Sequence, residues 1–156
     1  MKLLSSLCGV IVVGVGLLLP CLSGAARADE ASAVKAVEKL GGKVTRDDKL
    51  PGKPVIAVNL YGTKVTDAGL KELKDLKQLT SLDLTWTWGT AAVLKELKDL
   101  KQLTSLDLSG TGVTDAGLKE LKDLKQLTTL YLGGTKVTDD GVADLQKALP
   151  GCKITR

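Results

Sequence analysis

The chain has 156 residues, of which 44% are hydrophobic and 26% are charged, and its net charge is +4. Removal of residues 1–28, which contain Lys2 and Arg27 and no acidic residue, would lower the charge to 20 − 18 = +2. This charge is too small to indicate nucleic acid or a strongly anionic partner. The sequence contains no His, no cysteine cluster and no Gly-Lys-Ser/Thr loop, which excludes Ser-His-Asp and Cys-His catalysis and the common zinc and nucleotide sites. We therefore expect no enzyme activity, no metal and no cofactor.

Residues 1–28 have the features of a secretory signal peptide. Lys2 precedes a long apolar stretch, and Ala26-Arg27-Ala28 has the small-x-small pattern that a signal peptidase accepts. Cleavage after Ala28 predicts a protein that is secreted or periplasmic, with no membrane span and with Cys152 as its one cysteine. A retained membrane anchor and a lipid anchor on Cys21 are the alternatives.

Residues 29–54 are predicted to form an N-terminal cap. Apolar residues recur at helical spacing from Glu30 to Leu40, and two glycines follow and end this helix. Residues 43–46 predict a short strand, and residues 49–54 predict a turn-rich link. A unit of this kind covers the exposed apolar end of a stack of repeats.

Residues 55–150 contain four copies of one 24-residue phrase. In the second to fourth copies, leucines at L-x-x-L-x-L spacing predict a short strand whose leucines point inward, and the first copy uses Val58 and Leu60 there. The second half begins with Val-Thr-Asp and then has Leu at three-residue steps, which predicts a short helix that Thr or Asp can cap. Residues 151–156, with Cys152 and Ile154, predict a C-terminal capping strand. The leucines that mark the period are Leu60, Leu84, Leu108 and Leu132.

The repeat L-x-x-L-x-L-x-x-T-x-V-T-D-x-G-L resembles leucine-rich repeats of the cysteine-containing, F-box-associated type, in a version common among exported bacterial proteins. The resemblance covers about residues 55–156. It implies an α/β solenoid, a short curved stack with parallel strands on the concave face and short helices on the convex face. It implies protein recognition and carries over no catalytic residue. Threonine stands where many such repeats have Asn or Cys, at Thr63, Thr87, Thr111 and Thr135.

The side chains between the inward leucines are predicted to face the concave surface. Because adjacent strands lie about 4.8 Å apart, Asn59, Asp83, Asp107 and Tyr131 should form one row. The two Asp residues could bind a cation, or could act as a catalytic pair. An open curve offers no pocket that excludes water, which argues against catalysis. A solvated face with no ligand is the other alternative.

The second repeat departs from its neighbours at two tryptophans. Trp86 stands where the other repeats have Gly62, Gly110 and Gly134, and Trp88 replaces Lys or Gly. Tryptophan is enriched in binding hot spots, so we interpret this edge as part of a recognition surface. The alternative is that the rings cover core that a distorted repeat exposes.

The sequence therefore predicts a non-enzymatic module that binds a protein partner through the concave sheet and its tryptophan rim. The alternative is a structural role in the cell envelope, in which the lysine-rich convex face contacts anionic polymer. Interleaved Glu and Asp on that face favour a solvated surface instead. The predicted partner-binding residues are Asn59, Tyr61, Asp83, Thr85, Trp86, Trp88, Asp107 and Tyr131.

Overall fold

The strands of the described residues form one sheet. The computed structural model describes residues 24–65, 67–88 and 91–156. The sheet has six strands in sequence order; β2 to β6 are parallel, and β1 is antiparallel to β2. The strands are β1 (Lys43–Arg46), β2 (Val55–Asn59), β3 (Ser81–Asp83), β4 (Ser105–Asp107), β5 (Thr129–Tyr131) and β6 (Lys153–Thr155).

A helical segment follows each of the strands β2 to β5 and returns the chain to the start of the next strand. Parallel neighbours require such a crossover. Short 3-10 turns at Glu72–Asp75 and Lys119–Leu121 extend two of these helices. The predicted α/β leucine-rich repeat solenoid is thus confirmed. The helices are α1 (Gly24–Lys39), α2 (Asp67–Lys71), α3 (Ala91–Leu97), α4 (Asp115–Leu118) and α5 (Asp139–Ala148).

The N-terminal helix and strand lie at the start of the stack. Helix α1 begins at Gly24, before the predicted start at Glu30, because residues 25–28 include three alanines, which favour helix. Its residues Ala33 and Val37 are fully buried, and Gly41, at φ +84°, follows its end. Residues 1–23, most of the predicted signal peptide, lie outside the described residues. No helix in the described part of the chain is long and apolar enough to cross a membrane.

Stacked leucines form the core. The inward leucines of the strands and the leucines of the helical segments are almost completely buried in every repeat, as shown by Leu106 and Leu121 in the third. Burying one such side chain contributes about 1.5–3 kcal/mol. At the C-terminal end Cys152 is buried and Ile154 is partly buried against the same core. Burial also raises the pKa of the Cys152 thiol.

Threonine hydroxyls add hydrogen bonds between repeats. Thr104 donates its hydroxyl to the carbonyl oxygen of Thr80 at 3.0 Å, and Thr128 bonds Thr104 in the same way. A second set acts within each repeat, where the hydroxyl donates to the carbonyl three residues back. These bonds run from Thr63 to Leu60, Thr87 to Leu84, Thr111 to Leu108 and Thr135 to Leu132.

The Val-Thr-Asp segment links neighbouring repeats as well as capping helices. Thr138 caps α5 by accepting a bond from the Gly141 amide at 3.2 Å, whereas the Thr114 side chain makes no capping bond. The sequence predicts that Thr or Asp of this segment caps the helix start, but Asp115 instead accepts bonds from the amide and hydroxyl of Thr138 at 2.8 and 2.7 Å. A Cβ atom at Gly141 would overlap this carboxylate, which explains the glycine there. Thr66 and Thr90 lie outside the described residues.

The bond from Asp115 to the next repeat should make stability depend on pH. The side-chain and backbone hydrogen bonds from Thr138 lower the pKa of Asp115 below its ordinary value. The stabilisation is therefore complete above the unfolded pKa of about 4 and is lost as the pH falls through the lower folded pKa. We expect Asp115→Ala, which copies Ala91 of the second repeat, to lower the free energy of unfolding at pH 7.

The difference between wild type and Asp115→Ala should disappear as the pH is lowered through this range, as measured by urea unfolding at a series of pH values. Asp99→Ala is the control, since Asp99 is exposed and its side chain makes no hydrogen bond or ion pair with the described residues. An Asp115→Ala difference that stays constant down to strong acid would contradict the proposed bond.

Candidate binding surface

The strand register places the predicted polar row across the centre of the sheet. Asn59 lies opposite Asp83, Asp83 opposite Asp107, and Asp107 opposite Tyr131. Lys43 continues the row on β1. These side chains alternate with buried leucines, because successive residues of a strand point to opposite faces.

The acidic and amide side chains of this row hold the turn that follows each strand. Asp83 Oδ1 accepts a hydrogen bond from the Thr85 amide at 2.9 Å, and Asp107 Oδ1 accepts one from Ser109 at 2.9 Å. Asn59 makes the same bond to the Tyr61 amide at 3.0 Å. These are Asx turns, in which a short polar side chain accepts a bond from the backbone two residues on. Their sequence signal is an Asp or Asn at the strand end, two residues before the turn.

The carboxylates of Asp83 and Asp107 differ in the hydrogen bonding of their second oxygen atom, Oδ2. Asp83 Oδ2 accepts a bond from Asn59 Nδ2 at 3.0 Å. Asp107 Oδ2 has no hydrogen-bond partner among the described residues, and no described Lys or Arg forms an ion pair with either Asp. No group of three or more potential metal ligands occurs within the ranges that the structure describes.

An open concavity of about 640 Å³ lies on this face along the first three strands. Its wall includes Lys43, Asn59, Tyr61 and Asp83. Tyr61 is 61% exposed, and Tyr131, in the row beyond Asp107, is 41% exposed. The face therefore combines exposed aromatic rings with small hydroxyl and acidic side chains.

Trp86 has a left-handed backbone conformation, and the equivalent residue of each other repeat is a glycine in the same conformation. Its φ is +55°, against +65° for Gly62, +68° for Gly110 and +69° for Gly134. In this left-handed region a residue with a Cβ atom costs about 1–2 kcal/mol. A backbone hydrogen bond to the next repeat helps to hold Trp86 in this conformation: its amide donates to the Ser109 carbonyl at 2.9 Å.

The Trp86 ring rests on the next repeat but stays largely open to solvent. A Cβ atom at Gly110 would come within 2.7–3.0 Å of three ring atoms, so the absent side chain makes room for the ring. Trp86 is nevertheless 63% exposed and Trp88 is 79% exposed, whereas Thr87 between them is 4% exposed. Both indoles are therefore mostly exposed, on either side of a buried threonine.

The convex face has lysines at matching positions of successive repeats. Glu72, Glu96 and Glu120 lie half-buried between them. The interleaved charges agree with a solvated surface. The lysines, exposed except for the half-buried Lys122, are Lys71, Lys74, Lys77, Lys95, Lys98, Lys101, Lys119, Lys122 and Lys125.

Known proteins are similar to this chain in their fold. A family model described as Leucine Rich repeat matches residues 101–122 and 125–145. A leucine-rich repeat protein of Leptospira interrogans is 28% identical with a TM-score of 0.54, over 69% of this chain and 28% of that one. No curated protein matches the chain.

Two further solved structures are similar to part of this chain. The actin-binding site 2 of Leiomodin-1 is 18% identical with a TM-score of 0.51, over 76% of this chain and 72% of that one. An internalin of Listeria monocytogenes is 25% identical with a TM-score of 0.41, over 58% and 31%. Leucine-rich repeat domains are typically non-enzymatic scaffolds that bind proteins.

Two substitutions at Trp86 separate backbone strain from ring packing. Trp86→Gly relieves the strain and loses the contact with Gly110, so we expect its free energy of unfolding to stay within about 1 kcal/mol of wild type. Trp86→Ala loses the contact and keeps the strain, so it should be less stable than Trp86→Gly by about 1 kcal/mol.

Urea unfolding of both variants measures these differences. Trp88→Ala is the control for an exposed indole and should change stability by less than about 0.5 kcal/mol. A loss of about 3–5 kcal/mol in Trp86→Gly, as for a truncated core aromatic, would instead show that the ring is there for packing.

Proposed function

We propose that this protein is exported and binds another protein through its concave sheet and the rim formed by Trp86 and Trp88. The observation that carries the proposal is the state of Trp86, whose backbone is strained and whose ring is mostly exposed. Backbone strain is retained where function needs the side chain. A structural stack alone would favour glycine at this position, as in the other three repeats.

The surface next to the rim supports a protein ligand. Tyr61 corresponds in register to Thr85, the residue directly before Trp86, so the tyrosine and the indole belong to neighbouring repeats at the same edge. Tyr and Trp supply rigid contact area at low conformational-entropy cost, while small hydroxyl residues supply adaptable hydrogen bonds. Ser81, Ser105 and Thr129 form such a hydroxyl row across the sheet.

Capture from the envelope and medium of the producing cells tests this function. Wild type, Trp86→Gly and a convex-face control, Lys71→Ala/Lys95→Ala/Lys119→Ala, are immobilised at low and at high salt. We expect the lysine variant to retain the same protein as wild type, and to the same extent, at each salt concentration. Trp86→Gly should bind it at least about tenfold more weakly, because a central tryptophan contributes a large share of binding energy.

The same experiment distinguishes protein binding from the alternative, a structural role in the cell envelope. Capture that survives Trp86→Gly but disappears at high salt and in the lysine variant would contradict the proposal. That result would place binding on the convex face, because contacts between exposed charges are screened by salt.

Export makes a separate prediction for the N-terminus. We propose that signal peptidase cleaves after Ala28, so the protein recovered from the envelope or medium should begin at Asp29. Ala28→Arg should block cleavage and leave the full-length chain, because the site needs a small residue. N-terminal sequencing and intact mass measure both. Recovery of wild type beginning at Met1, or cleaved before a lipid-modified Cys21, would contradict it.

A further inference from the structure

We infer that the concave face selects a partner segment that carries an arginine, whose guanidinium binds the Asp83–Asp107 pair beside the Trp86 ring. This inference rests on the proposed function and names the chemistry of the ligand. Three observations support it. Asp83 and Asp107 place negative charge at the centre of the sheet. The first repeat has the neutral Asn59 at the equivalent position, and Trp86 lies close to both carboxylates.

The charge of the sheet centre is uncompensated within the described residues. Asp83 and Asp107 lie directly opposite each other on adjacent strands, about 4.8 Å apart at the backbone. Like charges in this arrangement are destabilising. The ion pairs of the described residues lie elsewhere: Arg46–Glu30, Lys53–Asp48, Lys147–Asp144 and Arg156–Asp139. A positive group supplied from outside would remove the repulsion.

The turns do not require these negative charges. Asn59 holds the turn of the first repeat with the same bond that Asp83 and Asp107 make in theirs. A neutral amide therefore meets the structural need at this position. The bonds to Thr85 and Ser109 explain the need for an acceptor oxygen at positions 83 and 107, and Asp83 also uses its second oxygen to accept from Asn59 Nδ2. Asp107 makes no second bond among the described residues, so its carboxylate charge has no structural reason there.

The rim lies within reach of the same cation. Trp86 follows Asp83 by three residues, and its ring lies on Gly110, which follows Asp107 by three. Three residues of extended chain span at most about 10 Å. One long side chain can therefore meet the free Oδ2 of Asp107 and the indole. Arginine suits both, because its planar guanidinium donates in a fork to carboxylates and stacks on aromatic faces.

Small amides of single amino acids test the inference without a known partner. The probes are N-acetyl-arginine amide and its neutral near-isostere N-acetyl-citrulline amide, with N-acetyl-lysine amide as a second cation. Binding is followed by NMR at the indole N–H of Trp86 and Trp88 and at the Ser109 amide. We expect saturable shifts with the arginine amide, weaker binding of the lysine amide, and at least about tenfold weaker binding of the citrulline amide.

Asp107→Asn is the matched variant, because Asn59 shows that an amide supports the turn. The new amide can also donate to Asp83 Oδ2, as Asn59 does, so the urea midpoint should be unchanged or higher. Affinity for the arginine amide should fall at least about tenfold. Asp123→Asn, which removes an exposed charge outside the sheet, is the control and should keep wild-type affinity.

In the probe experiment, the inference would be overturned by equal binding of the arginine and citrulline amides, or by an unchanged affinity in folded Asp107→Asn. The probe comparison needs only wild type, so it decides the question even if the variant is destabilised. Partner capture that is lost in Trp86→Gly but unchanged in Asp107→Asn would overturn this inference and leave the proposed function intact. Capture that is insensitive to Trp86→Gly would instead overturn the proposed function.

Discussion

Stacking is the interaction on which this fold depends. A single 24-residue repeat has too little of its own surface to cover leucines such as Leu106 and Leu121, so each repeat is stable only between neighbours. Stacking at a fixed period brings each residue beside its counterpart in the next repeat. One favourable contact is then repeated along the stack, as in the threonine bonds from Thr104 to Thr80 and from Thr128 to Thr104.

The same constraint explains why a departure from the repeat has consequences. The backbone hydrogen bonds between repeats continue through the turn in the first three repeats, where the amides of Gly62, Trp86 and Gly110 donate to the next repeat. A residue at this position must adopt the left-handed conformation whatever its side chain. Neighbouring repeats therefore hold Trp86 in a conformation that an isolated turn would leave. The glycine at position 110 then gives the ring a flat surface on which to rest.

The repeat period predicts the features that stacking determines. It does not predict which of two available partners a polar side chain will bond. The strands of the repeats and the row from Asn59 to Tyr131 follow from a period that can be counted. The bonds that Asp115 accepts from Thr138 do not follow from the period. A short carboxylate can equally well accept from the amides at the start of its own helix, and the distance between repeats determines which bond forms. The start of α1 at Gly24 was missed because alanines extend a helix without adding apolar periodicity. Exposure of both tryptophans required the structure, since sequence alone left packing and binding open.

Trp86 and Asp107 each carry an energetic cost to the fold, and both lie on the same part of the surface. Trp86 carries a conformation that favours glycine, and Asp107 carries a charge next to a like charge where Asn59 shows that an amide suffices. A stack of buried leucines can tolerate both without unfolding, because each cost is small beside the burial energy of one repeat. The fold needs neither the indole of Trp86 nor the negative charge of Asp107, yet together they present an aromatic face and negative charge at neighbouring positions. A cationic ligand relieves the repulsion and covers the ring, so the unbound protein carries costs that binding offsets.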